Sequence, residues 1–174
     1  MQKINGWDEV KASGEFERLP NGAYQCTIIT AEDIADKQYL KINFDICDGV
    51  YLQFASQAYS NLGFWILSTV RSYKGGCEGM FKQFTNAVEA SNDGYKWDWN
   101  ENSLEGCDFG AVIVTEQYLK DNGDEGLRYK VKNVFGLNDF DKYAAKTYED
   151  AYSDDLKKPK TEATATKAEN PFKK

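Results

Sequence analysis

The hydrophobic positions between residues 77 and 92 repeat with the period of an amphipathic helix. Cys77, Phe81, Phe84 and Val88 fall on one side of such a helix, while charged and amide side chains occupy the other sides. A Gly-Gly pair precedes this segment and Asn-Asp-Gly closes it, which are signals for the two ends of a helix. The pattern predicts a helix over residues 77–92 that lies on a hydrophobic core.

Three segments before this helix have strand-like patterns. Residues 22–32 are rich in aromatic and β-branched types, and residues 38–47 alternate strictly between apolar and polar side chains. The Asp-Gly pair at 48–49 is a hairpin signal, which predicts that the chain continues as a third strand over residues 50–59. Residues 60–74 fit neither period and receive no assignment.

Two further strands are predicted after the helix. Residues 106–118 contain a run that is apolar on both faces, which predicts a central strand. Residues 127–137 alternate apolar with basic side chains, which predicts a strand with one face in water. A short helix is expected within residues 138–152.

The element order β-β-β-α-β-β predicts a mainly β fold with one principal helix. This is the order of a five-stranded OB-like barrel, in which the helix closes the bottom. The barrel domain is expected to span residues 22–149. Residues 1–21 are predicted to form an N-terminal arm pinned by Trp7 and Phe16, and residues 150–174 have too little apolar content to fold, which predicts a disordered tail.

Composition narrows the possible functions. The chain has 174 residues, 41% of them hydrophobic, and it has no segment that reads as a signal peptide or membrane span. We therefore expect a soluble, cytosolic, single-domain protein. Histidine is absent and the four cysteines form no CxxC pair, so imidazole-dependent catalysis and the common zinc sites are excluded.

No Gly-rich phosphate-binding motif is present either. We expect no enzymatic activity, no catalytic residues, no metal and no cofactor. A metal-dependent nuclease is the enzymatic alternative, and its only support is the Asp-Phe-Asp triplet at 139–141.

The net charge of −7 means that any nucleic-acid site has to be a local patch. Such sites combine aromatic side chains, on which bases stack, with cations that pair with phosphates. The candidate nucleic-acid-binding residues on the predicted wet faces and in the unassigned stretch are Tyr39, Lys41, Tyr51, Gln53, Arg71, Tyr73, Lys74, Arg128, Lys130 and Lys132. Outward Tyr and Lys side chains are also ordinary surface residues of a sheet.

The alternating cations at 128–132 are the most specific part of this set. Three cations on one strand face repel each other unless an anion compensates them. That anion is either a bound ligand or the protein's own Asp and Glu side chains. The aromatic loop at 94–99 is a separate feature, in which we expect Trp97 inside and leave Trp99 open.

Six short segments within residues 5–145 carry a resemblance. They are Leu-Pro-Asn-Gly-Ala-Tyr at 19–24, Tyr-Leu-Lys-Ile at 39–42, Arg-Ser-Tyr-Lys at 71–74, Phe-Lys-Gln-Phe-Thr-Asn-Ala-Val-Glu-Ala-Ser-Asn at 81–92, Gly-Tyr-Lys-Trp at 94–97 and Leu-Glu-Gly at 104–106. Together they are similar to small early-region proteins of phages and prophages of Gram-positive hosts, whose members resemble phage single-stranded DNA-binding proteins of the replication and recombination module. The resemblance implies an OB-type fold that coats single strands in the bacterial host cytoplasm, with no catalytic residues.

The end of the chain matches that resemblance only in part. Bacterial single-strand binders typically end in an acidic segment that closes with Pro-Phe and recruits partners, whereas here Pro171 and Phe172 are followed by Lys173 and Lys174. The partners implied are single-stranded DNA and, through the tail, phage or host replication and recombination proteins. The sequence leaves open whether the chain forms a homo-oligomer.

Three functional hypotheses follow. The first is a single-stranded DNA-binding protein without sequence preference. The second is an acidic protein-interaction module, an adaptor or inhibitor that engages a basic protein and mimics DNA. The third is a carbohydrate-binding β-domain that uses Trp97 and Trp99.

Overall fold

Within the described residues the fold consists of six strands and three α-helices. The structure is a computed structural model, and it describes residue 2 and residues 17–156. The predicted anchors of the arm, Trp7 and Phe16, lie outside the described residues. The elements are β1 Gly22–Ile34, β2 Tyr39–Ile46, α1 Phe54–Leu62, β3 Ser68–Ser72, α2 Glu78–Ser91, β4 Asp108–Leu119, β5 Glu125–Phe135, α3 Phe140–Ala144 and β6 Ala151–Tyr152.

All six strands belong to one sheet, which is antiparallel except where β6 pairs with β4. The strand order is β3-β2-β1-β4-β5. The long strand β1 pairs with β4 along its first part and with β2 along its second part, and its register shifts between Ile28 and Thr30. Such a bulge bends a strand. The outer strands β3 and β5 approach each other to within 8 Å between Cα atoms, so the sheet curls around its core.

The core is formed by the inward faces that the alternation predicts. Leu40, Ile42, Phe44 and Ile46 of β2 are all buried. The run Phe109–Val114 of β4 is buried on both faces, as the sequence predicts for a central strand. The predictions of the first, second, fourth and fifth strands are therefore confirmed to within a few residues.

Helix α2 packs across one opening of the curled sheet. Phe81, Phe84 and Val88 are buried, and the Phe84 ring meets the Phe109 ring edge to face at 5.6 Å between centroids. Residues of β3, β4 and β5 lie against the helix. The prediction of a principal helix on the core is confirmed, with Cys77 as its N-cap residue.

The predicted third strand over residues 50–59 is wrong. Residues 50–53 turn, and α1 follows them. The helix begins where the carboxylate of Asp45 accepts hydrogen bonds from the backbone N–H groups of Ala55 and Ser56, at 2.8 and 2.9 Å. The Asp45 cap lies on strand β2, nine residues before the first residue of the helix, so residues 50–59 themselves contain no N-cap signal. The third strand is β3, within the unassigned residues 60–74.

The C-terminal part of the described chain packs on the outer face of the sheet. Helix α3 confirms the short helix expected within residues 138–152. Strand β6 and the buried Leu156 fall within the stretch for which the sequence predicts disorder, so the packed part of the chain extends at least to Leu156. The rest of that stretch, residues 157–174, lies outside the described residues. No helix of the described chain is long and apolar enough to cross a membrane.

Candidate nucleic-acid interface

Two of the three cations predicted on the fifth strand share one carboxylate. Glu116 of β4 lies opposite Arg128 in the register of β5. The Arg128 Nε group donates to Glu116 Oε2 at 2.6 Å, and the Lys130 Nζ group donates to Glu116 Oε1 at 3.1 Å. The protein's own acidic side chain therefore compensates this pair, which is one of the two alternatives that the sequence leaves open.

The environment of Glu116 favours its charged form. The side chain is nearly buried, which by itself raises the pKa of the carboxyl group. The hydrogen bonds and charges of Arg128 and Lys130 together outweigh this effect, so the pKa of Glu116 is below its ordinary value. The three side chains carry a net charge of one positive unit, and both cations remain about half exposed.

The third cation, Lys132, has a different position. The register between β4 and β5 shifts so that Val112 pairs with Asn133 while Ile113 pairs with Val131, which makes Lys132 the extra residue of a β-bulge. Lys132 is exposed and forms no ion pair within residues 17–156. Its ammonium group is thus the β5 cation that no carboxylate of the described chain neutralises.

A groove of about 570 Å³ lies where the first residues of β3 and β5 come together. We call it the seam groove. Its lining residues are Glu17, Arg18, Leu62, Phe64, Trp65, Ile66, Ser68, Thr115, Tyr118, Leu127, Arg128 and Tyr129. Four of them are aromatic, and Phe64 and Leu127 are 60% and 59% exposed, so the groove presents apolar surface directly beside Arg128.

The walls of the seam groove are held in place by specific contacts. The Trp65 indole N–H lies 2.8 Å from the Leu67 carbonyl oxygen and 3.1 Å from that of Phe44. The Arg128 guanidinium lies 4.5 Å from the centroid of the Tyr118 ring. These contacts fix an aromatic surface and a cation side by side, which is the combination that a single-strand site needs.

Arg18 closes the groove on the side of the N-terminal arm. Its guanidinium donates two hydrogen bonds to the Asp150 carboxylate, at 2.9 and 2.8 Å, and one to the Thr115 hydroxyl at 2.8 Å. Hydrogen bonds from Asn21 and Arg18 lower the pKa of the Asp150 carboxyl group. The arm, β4 and the C-terminal segment are joined at this point.

Arg71, a candidate nucleic-acid-binding residue from the unassigned stretch, lies inside the protein and not on its surface. Only 7% of the residue is exposed, and its guanidinium carbon lies 6.0 Å from the centroid of the Phe84 ring. Its Nε group has no hydrogen-bond partner among the described residues. Burial lowers the pKa of the guanidinium group. Arg71 therefore offers no surface contact to a ligand.

The tyrosine and glutamine predicted on the third strand also have other positions. Tyr51 lies in a turn and packs edge to face against Tyr24 and Phe54, each at 6.2 Å. Gln53 is exposed in a left-handed backbone conformation just before α1. Neither residue lies on a strand face, because no strand forms at residues 50–59.

The remaining candidates are not among the residues that line the seam groove. Tyr39 and Lys41 lie on β2, where Lys41 pairs across the strands with Glu32 and Val70. Tyr73 and Lys74 follow the end of β3 that is opposite to Ser68, and the Tyr73 hydroxyl donates to Asp33 at 2.7 Å. Of the ten predicted residues, the structure brings Arg128 and Lys130 together beside the groove.

The sequence does not identify the aromatic walls of the groove. Phe64 and Trp65 fall in the unassigned residues 60–74, and Tyr118 lies at the end of a strand predicted only as core. A signal was available in the cluster Phe64-Trp65 itself, since a loop with two adjacent large aromatic residues exposes at least one of them unless both are covered.

No protein-family model and no curated protein sequence matches this chain. Within the part of the chain that the structure describes, no group of three Cys, Asp or Glu side chains is placed to hold a metal ion. The Asp-Phe-Asp triplet at 139–141 therefore gains no metal-binding partners from the described fold.

Proposed function

We propose that this chain is a non-enzymatic, OB-like barrel protein that binds single-stranded DNA without sequence preference. The fold supports this proposal through its strand order, β3-β2-β1-β4-β5, together with the approach of β3 to β5. In an OB-fold the first strand likewise pairs with the second and the fourth, and a helix lies between the third and fourth strands, so the order of the observed sheet supports the proposal of such a barrel.

The observation that carries the proposal is the seam groove with Arg128 in its lining and Lys130 joined to Arg128 through Glu116. Bases stack on the exposed Phe64 ring and beside the half-buried Tyr118, because stacking on an aromatic ring tolerates every base. Phosphates pair with Arg128, Lys130 and Lys132. Glu116 holds the first two of these cations beside each other, and their excess charge remains available to the DNA backbone.

The resemblance to phage proteins supplies the biological setting of the proposal. The protein acts in a phage replication and recombination module, in the cytoplasm of a bacterial host. Residues 157–174 contact replication or recombination proteins of the phage or the host. Coating of longer single strands requires neighbouring copies of the chain to bind side by side.

Fluorescence anisotropy with labelled oligo-dT tests the proposal. Three phosphate contacts predict that the affinity falls roughly twentyfold between about 50 mM and about 200 mM salt, since the slope for single strands is about −0.7 per contact. Phe64→Ala and Lys132→Gln should each weaken binding, and Lys82→Gln, on the exposed side of α2, is the matched control that should not. Absence of binding at about 50 mM salt would overturn the proposal.

A specific observation favours a second candidate, the acidic protein-interaction module. Glu116 already compensates Arg128 and Lys130, and Arg71 is buried, so few cations of the predicted patch are free in a chain of net charge −7. The variant Glu116→Gln separates the two candidates. It tightens oligo-dT binding if the cations contact phosphates, and it leaves oligo-dT unbound if the surface serves only a protein partner.

A further inference from the structure

A second, smaller cavity lies away from the seam groove, between the end of β3, the first turn of α2 and the aromatic loop at 94–99. We call it the aromatic pocket, and its volume is about 120 Å³. Its lining residues are Asp33, Leu40, Tyr73, Phe81, Trp97, Trp99 and Glu101. Phe81 lies at its centre, with ring centroids of Tyr73, Trp97 and Trp99 at 6.0, 5.9 and 6.3 Å.

Trp99 is the most exposed aromatic side chain of the aromatic pocket. Its side chain is stacked parallel to Phe81 with an interplanar angle of 14°, yet the residue is 78% exposed. Its backbone has a φ of +64°, a conformation that a bulky residue rarely adopts. The strain is maintained by the loop, in which Asp98 Oδ1 accepts from the Asn100 N–H and the Ser103 hydroxyl, both at 3.1 Å. Strained backbone of this kind is concentrated at ligand-binding sites.

The charged groups of the aromatic pocket are carboxylates. Asp33 accepts a hydrogen bond from the Tyr73 hydroxyl through Oδ1, which leaves its other carboxylate oxygen for a ligand. Glu101 is half-buried at the rim, and no Lys or Arg is among the described residues that line the pocket. Two carboxylates repel phosphate groups, whereas aromatic faces and carboxylates together attract a cation.

We propose that the aromatic pocket binds the guanidinium group of an arginine side chain on a basic partner protein. A guanidinium is planar, so it stacks on the Trp99 indole while its N–H groups donate to Asp33 and Glu101. The volume of about 120 Å³ accommodates the end of one side chain.

The same features argue against a sugar or a nucleotide in this pocket. A sugar needs hydrogen-bond donors as well as acceptors from its site. The Tyr73 hydroxyl already donates to Asp33, and the Trp97 Nε1 group is buried. A nucleotide carries a phosphate into a site with two negative charges. A cation is the ligand that satisfies the rings and the carboxylates together.

Binding of a fluorescein-labelled, arginine-containing peptide to the full chain tests the proposal. The control ligand is the same peptide with citrulline, which is neutral and has almost the same shape. The arginine peptide should bind roughly tenfold more tightly than the citrulline peptide, as a charge-assisted contact predicts. Trp99→Ala and Glu101→Gln should each remove most of this difference, and Phe64→Ala, in the seam groove, should leave it unchanged.

Trp99 and Glu101 pack loosely enough for these variants to fold, which the melting temperature of each verifies. Equal binding of the two peptides would overturn the proposal. So would a neutral oligosaccharide that displaces the arginine peptide, or a loss of oligo-dT binding in Trp99→Ala, since these results assign the pocket to a sugar or to DNA. Phe64→Ala tests DNA binding in the seam groove, and Trp99→Ala tests arginine binding in the aromatic pocket. A failure of the first proposal is therefore distinguishable from a failure of the second.

Discussion

Two buried charged residues, Asp45 and Arg71, differ in how many hydrogen bonds their charged groups make. The Asp45 carboxylate accepts hydrogen bonds from the N–H groups of Ile46, Ala55 and Ser56 and from the Ser56 hydroxyl, at 2.5 to 2.9 Å. Arg71 makes one long hydrogen bond, to its neighbour's carbonyl oxygen at 3.4 Å, and no ion pair within the described residues. Burial of a charge stabilises a fold only where hydrogen bonds replace its hydration.

Replacement of the Asp45 carboxylate should therefore be costly. Asp45→Ala leaves the first N–H groups of α1 without their acceptor, and we expect the free energy of unfolding to fall by about 2 kcal/mol. Urea denaturation measures the change. Asp48→Ala removes an exposed carboxylate from the adjacent turn and is the control. Equal stability of the two variants would show that the cap contributes nothing.

Arg71 should behave in the opposite way. Arg71→Met keeps an aliphatic side chain beside Phe84. It removes the guanidinium group, and burial lowers the pKa of that group in the folded protein. We expect the free energy of unfolding to stay the same or to rise by about 1 kcal/mol. Oligo-dT affinity should not change, because Arg71 is buried. A loss of stability comparable to that of Asp45→Ala would mean that the guanidinium has a partner.

At the scale of elements, a strand can be predicted from the sequence where its apolar residues are the buried ones and its polar residues are the exposed ones. Strand β2 buries every second residue, so its period is visible in the sequence. Strand β3 inverts the rule, since the apolar Val70 is 50% exposed while Arg71 points into the core. Together with the remote cap of α1 at Asp45, this inversion explains why local patterns predict the wrong element at residues 50–59 and leave residues 60–74 unassigned.

The pairing of strands β4 and β5 requires a residue without a Cβ atom at position 110, where Gly110 lies opposite Phe135. A Cβ atom on Gly110 would lie 2.1 Å from the Phe135 ring, and that ring is stacked on Tyr143 of α3 at 4.1 Å between centroids. Because the ring is held from both sides, Gly110→Ala should lower the free energy of unfolding by about 3 kcal/mol.

Gly79 in α2 is the matched control for this substitution, because a Cβ atom there meets nothing within 4 Å. Gly79→Ala should raise the free energy of unfolding by up to about 1 kcal/mol, since alanine restricts the unfolded chain and favours the helix. Urea denaturation of both variants gives the comparison. If both changed stability in the same direction, steric contact with Phe135 would not be the cause.

At the scale of the whole molecule, the candidate site depends on contacts between distant parts of the chain. The cations Arg128 and Lys130 could be predicted, because alternation within one strand is a local pattern. The anion that pairs with them, Glu116, and the groove beside them could not, since both arise where β5 meets β4 and approaches β3. Sequence periodicity predicts which face a residue occupies, and it does not predict which residue of another strand lies opposite.

Carboxylates hold these distant parts together, so acid should loosen the molecule. The Glu116 carboxyl joins β4 to β5 and the Asp150 carboxyl joins the C-terminal segment to Arg18, and the pKa of each is lowered in the folded protein. Groups with lowered pKa values stabilise the fold above their ordinary values of about 4, and this contribution is lost as the pH falls through the folded values. We expect the free energy of unfolding to be level between about pH 7 and pH 5 and to fall below about pH 4.

The variants Glu116→Gln and Asp150→Asn identify the source of this acid sensitivity. Each lowers the free energy of unfolding at neutral pH, where the wild-type carboxylate is charged, and the difference from the wild type should shrink as the pH falls below about 4, because protonation of the wild-type carboxyl group removes the charge that the amide lacks. Urea denaturation at a series of pH values measures the convergence. A difference that stayed constant with pH would mean that shape, and not charge, is what these two side chains contribute. Convergence would show that paired carboxylates join the N-terminal arm, the C-terminal segment and the edge of the seam groove.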